Sequence, residues 1–462
     1  MSKLLNPLIQ RFAERTPIPV MARAIMERCL QAQSLDEWFA QASEGQYTRE
    51  LLFSTVFELI SQVVFRHQPS LHAAYQGTVE QIGVSVTSVY NKINGLAPGV
   101  SAGLVRHAAT QGTALIEAMK ASSAPLLPGY RVKILDGNKL GGCERRLAET
   151  RESTAAPLPG QSLVVLDPVL GLITDLFPCT DAYTQERALL GAVIDTVKAG
   201  ELWIADRNFC TVGFLQALTD RGAAGLIREH EQVPFVPLEP MHECGRIRTG
   251  RVGEQTVEIP ATTTRPALRL RRIRLHLDQP TRQGETRVYL LTTVPAAAAS
   301  ARRIARLYAQ RWRIETAFQQ LTVDLRCEIN TLGYPQAALF GFASAVVAFN
   351  VMAVVRAALR AVHGGATIEQ DISSYYLAID IAKMAESLAT ILDPQDWAVF
   401  QDVSIPLLAA WLLDTARHVQ LRKYRKHPRG PKKPKPKRPH DPQQPHVSTA
   451  RLLAKRKAKS AP

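Results

Sequence analysis

The chain has 462 residues, 46% hydrophobic and 21% charged, a balance that excludes a polypeptide too polar to bury a core. Its formal charge is +15, yet residues 421–462 alone hold fifteen Lys and Arg against the single acidic residue Asp441. The other 420 residues carry 41 basic and 40 acidic side chains, so net charge does not make the body of the protein a binder of polyanions.

At this length two to four structural units are expected. Cys29, Cys143, Cys179, Cys210, Cys244 and Cys327 are scattered without a CxxC pair, which points to a reducing cytoplasm rather than a disulfide framework. His242 and Cys244 are close, but no second pair has zinc spacing, so no structural zinc is expected. The Met-Ser-Lys start is followed by no apolar core, and no signal peptide is expected.

Residues 1–125 read as helices. Apolar positions Leu52, Phe53, Val56, Phe57, Ile60, Val63 and Val64 form one helical face. Residues 83–93 have the pattern of the turn and second helix of a helix-turn-helix, or of an ordinary capped helix; on the first reading Ser85, Thr87, Ser88, Asn91 and Lys92 face DNA. A linker is expected at 121–129. Strands follow at 131–135, 162–166 and 172–176, a helix near 185–198, a strand at 202–205, a helix at 212–221 and a strand at 224–227. That order predicts an α/β fold with a mixed sheet and covering helices.

Residues 229–287 break the alternation and read as a β-rich insertion. Between Gly245 and Val288 lie ten Arg, four acidic residues and no Lys, a content suited to bidentate phosphate contact. A strand at 289–294 and an amphipathic helix at 301–325 resume the pattern. Residues 337–355 carry no charge over nineteen positions, but their Ala, Gly341, Ser344 and Asn350 favour a buried core helix over a membrane span. The expected organisation is a helical DNA-binding domain at 1–125, a catalytic domain at 130–228 and 288–362 split by the insertion, a helical region at 363–420 and a disordered basic tail at 421–462.

Three carboxylates stand out by position. Asp136 closes the first apolar strand and Asp206 the fourth, which sets both at the rim of a sheet where ligands bind. Left unpaired they repel, and a shared divalent cation removes the conflict. On the 301–325 helix, Tyr308, Arg311, Glu315 and Thr322 share one flank through spacings of three, four and seven. Read alone, Arg311 and Glu315 are an i,i+4 surface pair; with two strand-end aspartates they complete an acidic constellation.

In that order the motifs Asp136-Gly137-Asn138, Asp206-Arg207-Asn208-Phe209 and Tyr308-x-x-Arg311-x-x-x-Glu315 resemble the DDE insertion-sequence transposases of the insertion-sequence four group, with their Y-(2)-R-(3)-E-(6)-K signature. The resemblance spans about 130–360. It implies a ribonuclease-H-like catalytic fold and a bacterial, nucleoid-associated enzyme that cuts element ends and joins them to target DNA by two-metal-ion phosphoryl transfer. It further implies Asp136, Asp206 and Glu315 as ligands of Mg2+ (Mn2+ substituting), and a homodimer on DNA with no membrane partner. Tyr308, Arg311 and Arg207 are expected at the DNA backbone. Two departures stand out: Thr322 occupies the place of the signature lysine, for which Arg326 is the candidate replacement, and the insertion has no Trp, only the flanking Phe235 and Tyr289. A captured transposase that binds ends without cutting them is the alternative.

Overall fold

The computed structural model describes residues 6–42, 50–141, 144, 147–151, 155–281, 283–427, 430 and 446–460. The N-terminal part is helical: α1 (Pro7–Arg15), α2 (Pro17–Cys29), α3 (Ala32–Ala42), α4 (Phe53–Val64), α5 (Leu71–Gln76), α6 (Val79–Ile82), α7 (Val86–Gly95) and α8 (Pro98–Ala118). Then come β1 (Arg131–Lys139), α9 (Ala148–Arg151), β2 (Ala156–Leu158), β3 (Gln161–Asp167), β4 (Leu172–Cys179), α10 (Leu190–Ile194), β5 (Glu201–Ala205), α11 (Val212–Asp220) and β6 (Ala224–Arg228). The region expected as an insertion holds β7 (Val236–Pro237), β8 (His242–Ile247), β9 (Gly250–Ile259) and β10 (Leu268–Leu277). The chain continues through β11 (Arg287–Thr292), α12 (Ala301–Tyr308), α13 (Trp312–Val323), α14 (Pro335–His363), α15 (Gly365–Asp371), α16 (Ser374–Ile391), α17 (Pro394–Trp397), α18 (Ile405–Arg417), β12 (His446–Ser448) and α19 (Thr449–Ser460).

One large mixed sheet runs in the order β4-β3-β1-β5-β6-β11-β10-β9-β7, with β8 paired to β9. β1, β5 and β6 are parallel neighbours, while β3 and β4 run antiparallel on one side and β11, β10 and β9 on the other. The β-rich segment therefore lengthens the central sheet instead of forming a sheet of its own. Strand alternation divides the core. Val132, Ile134, Leu202 and Ile204 join the larger cluster with the N-terminal helices and α14, whereas Leu135, Trp203 and Ala205 face α10 and α11.

α14 is long and apolar enough to cross a membrane, but 94% of its most apolar window is buried inside the protein. It packs on α8, and both lie against β4. The one amide among those apolar turns is used: Asn350 Oδ1 accepts from the Ile173 N–H and its Nδ2 donates to the Ile173 carbonyl, both at 2.9 Å. Through α8 and α14 the N-terminal helices share one continuous core with the sheet.

Several elements differ from the sequence expectation. β1 runs on to Lys139 because antiparallel pairing with β3 continues past Leu135, where the parallel pairing with β5 stops; Asp136 thus lies within a strand, not at its end. The helix expected at 185–198 is only a 3-10 turn at Glu186–Leu189 plus the short α10, in a stretch where Gly191 and the β-branched Val193, Ile194 and Thr196 lower helix propensity. The expected continuous helix at 301–325 is interrupted by a 3-10 turn at Ala309–Arg311, between α12 and α13. The tail expected to be disordered is ordered at both ends. Tyr424 is buried and donates to Asp380 Oδ2 at 2.6 Å. Farther on, β12 pairs in parallel with β2, while Ser448 and Arg451 bond Asp181. The expected Pro/Lys-rich stretch between them falls largely outside the described residues.

Candidate active site

The site forms where β1 and β5 lie side by side. Their register sets Leu135 opposite Ala205, so the next residues, Asp136 and Asp206, stand side by side where the β1–β5 pairing ends. Both share the alternation parity of Ile134 and Ile204, which places them on the face that the α12–α13 segment covers. That segment is seated by Ile304, Leu307, Ile314 and Leu321, all buried. Ser300 caps its start by accepting from the Arg303 N–H.

The 3-10 turn presents Arg311 to the sheet. Its Nη1 donates to Asp136 Oδ2 at 2.8 Å and its Nη2 to Glu315 Oε1 at 2.6 Å. One guanidinium, 12% exposed, thereby bridges two of the three expected carboxylates. Asp136 Oδ1 accepts from the Gly137 N–H at 2.9 Å.

Even so, Asp136 is under-compensated. Burial pushes its pKa up to about 6, with Asp206 and Glu186 adding to the rise against Arg311 and the Gly137 N–H. Burial also acts to lower the pKa of Arg311, but Tyr308, Asp136, Asp206 and Glu315 together outweigh it and hold the guanidinium charged. Burial and the Asp206 charge raise the Tyr308 phenol well above its ordinary value, so it stays a hydrogen-bond donor.

A fourth carboxylate belongs here that sequence reasoning missed. Glu186, on the 3-10 turn before α10, lies against Gly137 so closely that a Cβ there would collide with it. Asn208 donates to its Oε2, and Asn208 Oδ1 accepts from Arg187 Nη2 at 3.5 Å. The only sequence signals were the Gly in Asp136-Gly137-Asn138 and the Asn two residues after Asp206.

The remaining expected residues are placed less uniformly. Arg207 is half exposed and faces Glu285 at 3.6 Å, a carboxylate that also bonds Arg228. Arg326 is tied to the N-terminal part, its N–H to the Val64 carbonyl at 3.1 Å and its guanidinium to the Pro69 carbonyl at 2.5 Å. Thr322 is exposed and turns its hydroxyl back onto the Phe318 carbonyl. Ser85 caps α7 by accepting from the Ser88 N–H, and Thr87, Ser88 and Asn91 are exposed. Lys92 points inward to the Leu51 carbonyl, its Nζ 5.6 Å from the centre of the Phe39 ring.

Five of the nine described arginines of the β-rich segment pair with carboxylates, Arg269 loosely with Glu258 at 3.8 Å. Arg271 pairs with Glu254, Arg246 with Asp278 and Arg274 with Glu243, and Arg272 makes a bidentate pair with Glu229 at 2.6 and 2.8 Å. Arg248, Arg251, Arg265 and Arg287 remain exposed. The Arg272 guanidinium also lies 5.0 Å from the centre of the Phe235 ring and 4.0 Å from that of Tyr289, so both flanking aromatics are engaged by a cation.

Residues 158–347 match the family model of the transposase DDE domain. The matched stretch contains Asp206, Tyr308, Arg311 and Glu315 and begins after Asp136, whose inclusion in the site rests on the geometry above. The match supports a DDE-type transposase. No curated protein matches the chain. Among solved structures, the cryo-EM structure of piggyBac transposase synaptic complex with hairpin DNA is similar over 84% of this chain and 86% of that one, at 11% identity and a TM-score of 0.37, too loose to carry an argument.

Proposed function

We propose that this protein is a DDE transposase of the insertion-sequence four type, which cuts the ends of its element and joins them to target DNA, with Asp136, Asp206 and Glu315 as its catalytic carboxylates. The observation that carries the reading is that Asp136 and Glu315 meet on one guanidinium beside Asp206, and that the last two lie within the stretch matching a transposase DDE domain. A ribonuclease-H-like core is supported by the mixed sheet, in which the two aspartates sit on adjacent parallel strands.

The donor set suits Mg2+ or Mn2+. It is all oxygen, as a hard cation requires, and burial keeps the Asp136 pKa raised despite Arg311, with Asp206 and Glu186 adding to the rise. When bound by these carboxylates, such a cation supplies Lewis acidity to the scissile phosphate and favours ionisation of the attacking hydroxyl.

The chain's own residues do the rest. Asp136 and Asp206, fixed on neighbouring strands, hold their carboxylates at one spot. Arg311, which bonds Asp136 and Glu315, would be free to take a phosphate oxygen of the DNA backbone if a cation were held by these carboxylates. The Tyr308 phenol, which keeps its proton, donates to the backbone and does not act as a base. Exposed Arg303 and Arg306 on α12 extend this basic surface away from the carboxylates.

The test is cleavage and joining of labelled element-end DNA with Mg2+ or Mn2+, comparing the wild type with Glu315→Gln. Cut and joined products from the wild type alone support the reading. Cutting without joining makes the protein a nuclease. End-specific binding without any product makes it a captured end-binding protein, the reading that Thr322 in the lysine position favours.

A further inference from the structure

β8 and β9 form a hairpin on the outer part of the sheet, and their register sets His242 opposite Glu254. Cys244, two residues on, returns to the His242 side by strand alternation. The register slips by one residue between Glu243 and Arg246, and Gly245 at φ +97° accommodates the extra residue. A ligand atom from each of His242, Cys244 and Glu254 consequently lies within 4.8 Å of the other two.

The carboxylate is already divided between two tasks. Glu254 Oε1 accepts from Arg271 Nε at 2.5 Å, and Arg271 Nη1 is anchored on the Val294 and Ala299 carbonyls at 2.9 and 2.8 Å. Glu254 Oε2 is turned to Cys244 Sγ, 3.9 Å away. Burial raises the Cys244 thiol, and the Glu254 charge adds to the rise. His242 is exposed and closes the set from the solvent side.

We propose that His242, Cys244 and Glu254 bind a zinc ion through the imidazole, the thiolate and Glu254 Oε2, with the fourth position open to water. A thiolate and an imidazole select zinc over the hard cation suited to the all-carboxylate site. Ligand atoms around tetrahedral zinc stand about 3.5 Å apart, so closing the set takes shifts of about 1 Å, within reach of the exposed His242 ring. Binding displaces the thiol proton to solvent, and the two negative ligands balance the ion. Arg271 stays outside as the partner that orients Glu254. Because β8 packs on α12 and Gly245 lies beside Arg302 of that helix, the ion braces the outer sheet against the segment that carries Arg311.

The full-length protein, stripped with a chelator, is titrated with Co2+ and then Zn2+. The proposal expects a near-ultraviolet thiolate-to-cobalt band that saturates at a single equivalent and is bleached by zinc. The band should vanish in Cys244→Ser, weaken in His242→Ala and persist in Cys179→Ser and Asp136→Asn. No thiolate band in the wild type, or a band that survives Cys244→Ser, overturns it. Circular dichroism establishes that each variant is folded, and His242→Ala, at an exposed position, carries the test should the serine variant misfold. The readout is spectroscopic, so its failure leaves the transposase reading standing.

Discussion

Replacing Asp136 with Asn should stabilise the metal-free protein while removing its catalytic function. In the folded state the Asp136 carboxyl titrates at about 6, against an ordinary value of 3.8, because burial outweighs the Arg311 ion pair. Below about pH 4 the group keeps its proton whether the chain is folded or not, and it contributes no difference. Between about 4 and 6 the unfolded chain releases the proton and the folded one retains it, so stability falls as pH rises. Above pH 6 the full cost is present, roughly 3 kcal/mol for two units. The substituted amide carries no charge to desolvate, but it weakens the contact with Arg311, so the net gain at pH 8 is about 1–3 kcal/mol. With roughly 2.1 cal/mol/K of unfolding entropy per residue, a chain of 462 residues gains only about 1 °C per kcal/mol. Scanning calorimetry of the wild type and Asp136→Asn at pH 4, 6 and 8 without divalent ions is therefore run against replicate errors well under a degree. Equal melting at pH 4 and a higher-melting variant at pH 8 are expected. A variant that melts lower at pH 8, or by the same interval at every pH, refutes the account of an under-compensated carboxylate. Adding Mg2+ at pH 8 should raise the wild type and leave the variant nearly unmoved.

Gly137→Ala should displace Glu186 and its partner Asn208, lowering strand cleavage on the order of 100-fold in the element-end assay while circular dichroism stays unchanged. Arg272→Ala leaves Glu229, 13% exposed, without its bidentate partner, at an expected cost of about 3 kcal/mol by urea denaturation; Arg272→Lys restores the charge but not the fork or the ring stacking, and falls between. Deleting residues 430–462 removes ten Lys and Arg, so DNA binding should show a shallower salt dependence. The same deletion removes β12 and its pairing with β2, so a drop in thermal stability should accompany it.

Local periodicity made much of the catalytic region legible. Short apolar runs at 131–135 and 202–205 marked the two strands that lead to the aspartates, and the helical spacing of Ile304, Leu307, Ile314 and Leu321 marked the helix that covers them. Those signals depend on neighbours a few residues apart, and the sequence states them outright. Which of them meet is another matter. Arg311 reaches Asp136 across 175 positions of chain, and that pairing draws Arg311 to the sheet at the 3-10 turn where an unbroken helix was expected. Glu186 sits in a polar stretch with no period to flag it and becomes part of the site only because β1 passes beneath it with a glycine. The arginines of β10 looked ready for phosphate, yet the tertiary packing set acidic residues beside Arg271, Arg272 and Arg274 and two aromatic rings around Arg272. Composition and spacing thus determined what each segment could form and which residues could do chemistry. Packing decided which charges were already spent on one another, because a charge interaction depends on distance through space and on burial, and neither is written in the order of the residues.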